Sequence, residues 1–217
     1  MTGWPAIVFF LITGLVIPIL AWISKRALDT GLVVPRIPFY LESGALQVLM
    51  LPFAVWVGLR SGIAIPLRGG FAIDDLLAGT ALLVVALVAM FVSLPRMSKE
   101  RRTRLEQIVP RTRSERMLWL AVSTAAAFNE EITYRGVMPA LLLLMIDPWW
   151  VAAVVSSILF GLAHLVQGFT STLIIMVFGF AFHLLVLFTG TLWIAIAVHL
   201  LYDLIAGYSL GRPAERL

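Results

Sequence analysis

The chain has no cysteine. That excludes disulfides, thiolate metal sites and a cysteine nucleophile, and it leaves the redox compartment open. Charge is also scarce. Only 13% of the 217 residues are Asp, Glu, Lys or Arg, against 61% hydrophobic, whereas an average soluble domain holds about 25% charged and 45–50% apolar residues. Such a chain is too apolar to carry a water-soluble surface. Disorder, collagen and coiled coil are excluded on the same grounds. There is no Gly/Ser linker and no internal repeat.

The long apolar runs answer to a different solvent. A helix crossing a bilayer needs about 20 mostly apolar residues. Runs of that kind cover residues 4–23, 43–59 and 73–94; a fourth starts near 117 and passes through Asn129-Glu130-Glu131; others cover 149–166, 171–188 and 192–208. The expected fold is all-α, a polytopic transmembrane helix bundle of about seven spans. The first run lacks a basic n-region and exceeds a signal peptide's apolar core, so it reads as a retained span. Arg135, Gly136 and Pro139 predict a break or bend of the helix after the Glu130–Arg135 motif. Residues 140–146 are too few to cross alone, and Asp147-Pro148 signals a turn. The organisation expected is a single membrane domain over 1–217. It comprises three N-terminal spans (1–94), a basic loop (95–116) and a C-terminal set of helices (117–210) that holds the Glu-Glu pair.

Lys and Arg sort by side. Lys25, Arg26 and Arg36 follow the first span; Arg96, Lys99, Arg101, Arg102, Arg104, Arg111, Arg113 and Arg116 follow the third; Arg212 and Arg216 lie in the tail. With seven spans all share one side, and only Arg60 and Arg68 fall opposite. The expected location is the cell membrane, and the positive-inside rule puts the N-terminus outside and the C-terminus in the cytoplasm. An eighth crossing by 140–146 would move the tail charges outward. The net charge of +4 thus reports orientation. The loop 95–116 reads as a solvated connector against anionic lipid headgroups. Nothing aromatic is interleaved in it, so nucleic acid is not an expected partner. Trp4, Trp22, Trp149, Trp150 and Trp193 lie near span ends, where interfacial anchoring suffices.

Ionisable groups inside spans cost at least about 2.5–3.5 kcal/mol each. Glu130, Glu131, Arg135, His164, His183, His199 and Asp203 all fall in or beside the last four spans. Asp74 and Asp75, in the first half, stand where a helix begins and read as an N-cap and a first-turn acid. Glu131 and Arg135 are four apart and can pair on one helix face. Glu130 points about 100° away with no partner at helical spacing, which suits a general base. His199 and Asp203 are four apart on the last span, so the carboxylate can orient the imidazole. His164 stands one turn after Phe160, and His183 reads as an interhelical hydrogen-bond donor.

The signatures of other membrane proteases are missing. There is no H-E-x-x-H zinc motif, no G-x-G-D and no G-x-S-x-G or G-x-S-G. Ser156 and Ser157 lack an elbow's flanking glycines and read as helix-packing residues.

Glu130-Glu131-x-x-x-Arg135, Phe160-x-x-x-His164 and His199-x-x-x-Asp203, with Gly190-Thr191-Leu192-Trp193 before the last, resemble the three-motif signature of the CPBP family. That family holds the type II CAAX prenyl endopeptidases and the bacteriocin-processing or immunity-associated proteins once called abortive-infection proteins. The resemblance spans roughly residues 116–211. It implies an intramembrane glutamate-dependent endopeptidase with no cofactor and no metal. Its partners would be membrane lipids and a membrane-embedded or lipidated peptide. Glu130 would activate water, assisted by His164. His199 and Asp203 would stabilise the oxyanion, and Glu131 and Arg135 would hold the motif together. The family most often has Asn at the last position, and an ionised Asp203 cannot donate to an oxyanion. Two alternatives stay open. His164, His199, Asp203 and Glu130 could form a zinc site by ligand type. Intramembrane Glu and His also suit a proton-coupled transporter, or a non-enzymatic immunity protein.

Overall fold

A computed structural model of the chain describes residues 3–67 and 69–211. Arg68, Arg212 and Arg216, used above to sort charge by side, lie outside the described residues. Those described contain ten α-helices and no strand. The first crossing is α1 (Trp4–Leu11) and α2 (Ile17–Asp29), joined by a π-helical stretch, Ile12–Val16. Then come α3 (Arg36–Arg60), α4 (Ile73–Ser93) and the polar α5 (Lys99–Ile108). The Glu-Glu motif ends α6 (Arg113–Glu131), which runs through a second π-helical stretch, Ile132–Val137, into α7 (Met138–Leu143). The remainder is α8 (Trp149–Ala163), α9 (Phe169–Thr189) and α10 (Leu192–Leu210). The break expected after Arg135 thus takes the form of a π stretch, not a chain reversal.

Among the described residues five helices are long and apolar enough to cross a membrane: 4–29, 36–60, 73–96, 169–189 and 192–210. The apolar α8 has only 15 residues. Contacts at the two ends of the bundle give the path of the chain. At one end Asp29 pairs with Arg104, Arg36 donates to the Glu106 carbonyl, Gly168 lies against Arg104, and Gly211 against the Pro110 carbonyl. At the other end Trp4 meets Trp56, Leu192 donates to the Pro66 carbonyl, and Met145 shares a hollow with Ala6 and Phe10. The described chain therefore traverses the bundle seven times, with 113–143 making one passage and residues 140–146 no additional one.

The core gathers where these passages meet. Phe9, Ala54, Val57, Val137, Met138, Leu141, Ala152 and Leu192 are almost fully buried. Outward positions such as Leu49, Val177 and Leu187 are large, apolar and exposed, as a lipid-facing surface requires. Small residues set the closest approaches. A side chain at Gly44 would press on Val122, at Gly58 on Val137, at Gly79 on Ile194 and at Gly207 on Trp119. Helix α4 begins at Ile73, after Ala72, so Asp74 is a first-turn acid and not the N-cap residue expected. Asp75 accepts from the Ala72 N–H at 2.9 Å.

Candidate active site

Helix α6 packs between α3 and α10 and carries its polar residues to both. The 100° step between consecutive residues sends Glu130 and Glu131 to different neighbours. Glu131 is fully buried. One of its oxygens, Oε1, accepts from Arg135 at 3.0 Å and from Nδ1 of His199 on α10 at 2.7 Å. The Arg135 guanidinium lies 4.0 Å over the Phe160 ring and 5.1 Å from that of Phe182. Phe160 in turn meets Tyr134 edge-on and has the His164 ring 4.6 Å away. An ion pair, a cation–π stack and ring edges thus tie three helices around the motif.

Glu130 faces the other way. Its Oε1 accepts from Nε2 of Gln47 on α3 at 2.7 Å. Its Oε2 lies 3.7 Å from Nε2 of His164 and 3.7 Å from Nε2 of His199. His164 caps the C-terminus of α8, where its Nδ1 is 2.8 Å from the Phe160 carbonyl. A carbonyl only accepts, so Nδ1 carries a proton, and Nε2 is the nitrogen turned toward Glu130. In His199, Nδ1 is committed to Glu131, and Nε2 faces Glu130 and Asp203, with Asp203 Oδ2 at 3.7 Å.

All seven expected site residues therefore stand together. Oε2 of Glu130 lies 3.7 Å from Nε2 of both His164 and His199, and Asp203 Oδ2 lies 3.7 Å from Nε2 of His199, while Glu131, Arg135 and Phe160 pack beside them. The hydrogen bond that orients His199 comes from Glu131, not from Asp203. His183 is buried on α9, and its Nε2 has no hydrogen-bond partner. Among the described residues no three His, Asp or Glu side chains are arranged to hold a metal ion.

Sequence reasoning missed Gln47 and Asn129. Asn129 donates from Nδ2 to Gln47 Oε1 at 2.5 Å, and Thr133 Oγ1 lies 3.1 Å from Asn129 Oδ1. The signal for Gln47 was available. Along α3 the inward positions are Tyr40, Met50, Ala54 and Val57, and Gln47 stands seven residues from both Tyr40 and Ala54. One amide on an otherwise apolar stripe marks a polar partner across the interface.

Compared with known families, residues 112–205 match one described as type II CAAX prenyl endopeptidase Rce1-like. That stretch begins at the capping residue of α6 and ends two residues after Asp203, so all three motifs lie inside it. Over this segment, less than half of the 217 residues, the chain is similar to that family. Gln47 and the first five helices lie outside it. No curated protein and no solved structure matches the chain.

Proposed function

We propose that the protein hydrolyses a peptide bond within the membrane by a Glu130-activated water, without a metal. The observation that carries this reading is the 3.7 Å separation of Glu130 Oε2 from Nε2 of both His164 and His199, three side chains brought from α6, α8 and α10. That separation exceeds a direct hydrogen bond and suits a shared water. The water donates one hydrogen to Glu130 Oε2 and the other to His164 Nε2, and keeps a lone pair for the scissile carbonyl carbon. As the C–O bond forms, the proton passes to Glu130 and the carbonyl oxygen becomes an oxyanion. His199, doubly protonated, donates to it from Nε2, because Nδ1 is held by Glu131. Glu130 then returns the proton to the leaving amine as the C–N bond breaks.

In this reading Asp203 lies beside the oxyanion. Its carboxylate has no hydrogen to give when ionised, so Asp203→Asn, which offers an amide donor, should retain activity where Asp203→Ala loses it. The substrate is a membrane-embedded or lipidated peptide, with a prenylated C-terminal peptide the first to try, given the description of the matching family. Lipids are the other partners, and nucleic acid is not one. The N-terminus lies outside and the basic end of the bundle faces the cytoplasm of a cell-membrane protein.

The test is cleavage of a membrane-peptide library, prenylated peptides included, by wild type and Glu130→Gln, each with and without chelator. Loss of the general base should lower the rate about 10²- to 10⁴-fold, and chelation should leave wild type unchanged. Full-rate cleavage by Glu130→Gln would refute the mechanism. Stoichiometric metal in the purified protein, with loss of activity on its removal, would refute metal independence.

A further inference from the structure

We infer that Gln47 is a positioning residue for Glu130, supplied by α3 from outside the family-matched segment, and that Asn129 fixes the direction in which its amide points. The inference rests on Glu130 as the base. Three hydrogen bonds run in one direction. Thr133 Oγ1 donates to Asn129 Oδ1 at 3.1 Å, Asn129 Nδ2 to Gln47 Oε1 at 2.5 Å, and Gln47 Nε2 to Glu130 Oε1 at 2.7 Å. A hydroxyl can donate or accept, but a carboxylate at the far end only accepts, so the chain has a fixed polarity. Turning the Gln47 amide over would set its oxygen against the Glu130 carboxylate and its NH2 against that of Asn129. Both contacts would be repulsive.

The consequence for the base is geometric. With Oε1 held by Gln47, Oε2 is the oxygen presented to His164 and His199. The carboxylate cannot rotate about its last bond without giving up a charge-assisted hydrogen bond, the stronger class. Packing of α3 on α6 does not need the amide. Gly44 against Val122, Gly58 against Val137 and the buried Tyr40, Met50 and Ala54 supply that contact. The polar relay is therefore separable from the interface in which it sits.

The experiment is a series at position 47, assayed on whichever peptide wild type cleaves, with Glu130→Gln alongside. Gln47→Met keeps length and volume and removes the donor. It should lower kcat about 10- to 100-fold, the equivalent of one hydrogen bond to a charged group, with KM within about twofold; the melting temperature should fall as well, because the buried Asn129 Nδ2 loses its acceptor. Gln47→Glu keeps the shape but faces one carboxylate with another, and should fall below Gln47→Met. Gln47→His restores an N–H donor and should recover most of the lost kcat. Wild-type kcat in Gln47→Met overturns the inference. So does a loss of kcat that follows melting temperature across the series and is not recovered by His. If Glu130→Gln itself cleaves at full rate, the reading beneath has failed, and that outcome is seen separately.

Discussion

Glu131 is the residue on which the site's internal electrostatics turn. It has no exposure, and its single oxygen Oε1 serves both Arg135 and His199. Removing one partner of a buried ion pair costs about 3–5 kcal/mol, because the other charge is left uncompensated. Glu131→Gln should therefore destabilise the protein by about that much, stranding the Arg135 guanidinium between Phe160 and Phe182. Glu130→Gln should melt with wild type, since its histidine contacts are long. Thermal unfolding in detergent, beside cleavage, checks this. Equal melting of the two variants would remove the ion pair from the account. Part of this was legible beforehand: Glu131 and Arg135 are one helical turn apart, and the three motifs announce themselves as charges in apolar runs. The partner of His199 Nδ1 was not legible. Spacing of four put Asp203 near the imidazole, but it cannot say which nitrogen is served, and the true partner lies 68 residues away in sequence. Gln47 was hidden for the same reason, as an uncharged residue whose role depends on a neighbour from another helix.

The two π-helical stretches have a common cause. Each is followed closely by proline, Pro18 after Ile12–Val16 and Pro139 after Ile132–Val137. Proline has no N–H to give, so an α-helical carbonyl before it loses its donor. In the second stretch the bonding shifts register, and Met138 N–H goes to the Thr133 carbonyl five residues back. The same register would ask Pro139 to serve the Tyr134 carbonyl, which it cannot do. Ser156 of α8 serves it instead, through Oγ at 2.5 Å. The sequence announced an irregularity through Gly136 and Pro139 and assigned Ser156 to helix packing; that Ser156 repairs the irregularity depends on a contact between elements. Ser156→Ala should cost about 1–3 kcal/mol, the penalty for an unpaired buried carbonyl. In a Pro139→Ala background, where an N–H is restored, the same change should cost much less. A double-mutant cycle by thermal unfolding measures the difference, and strict additivity would sever Ser156 from Pro139. The register shift also matters for the site, because the 132–137 segment lies between Glu131 and α7, is buried throughout, and carries Arg135 inward.

Across the whole molecule, the basic segment expected to be a solvated connector is a strap across one end of the bundle. Arg104 of α5 pairs with Asp29 of α2, Arg101 donates to Ser171 Oγ of α9 at 3.1 Å, and Arg36 of α3 donates to the Glu106 carbonyl at 2.9 Å. Composition could not reveal this, because the same arginines suit headgroups and carbonyls alike. The strap hands over to α6 through a reciprocal cap. Thr112 Oγ1 accepts from Glu115 N–H, and Glu115 Oε2 accepts from the N–H groups of Arg111 and Thr112 at 2.7 and 3.0 Å. Glu115 precedes the apolar part of α6 and lies outside the membrane. Burial pushes its carboxyl up, but those two N–H donors and the positive charges of Arg36 and Arg111 outweigh burial and hold it below its usual 4.5. A carboxyl depressed on folding contributes stability above its unfolded value, and that contribution is lost as pH falls through the folded one. Glu115→Gln should therefore destabilise the protein by about 0.5–2 kcal/mol at neutral pH, the range for a lost cap. The gap between wild type and variant should close as pH is lowered past the carboxylate range, because protonated Glu115 and Gln then carry the same charge. Melting temperatures of the two proteins across that range decide the matter. A gap that persists unchanged into acid would mean that the cap acts by shape alone, and that the charges at this end of the bundle do not hold the strap to α6.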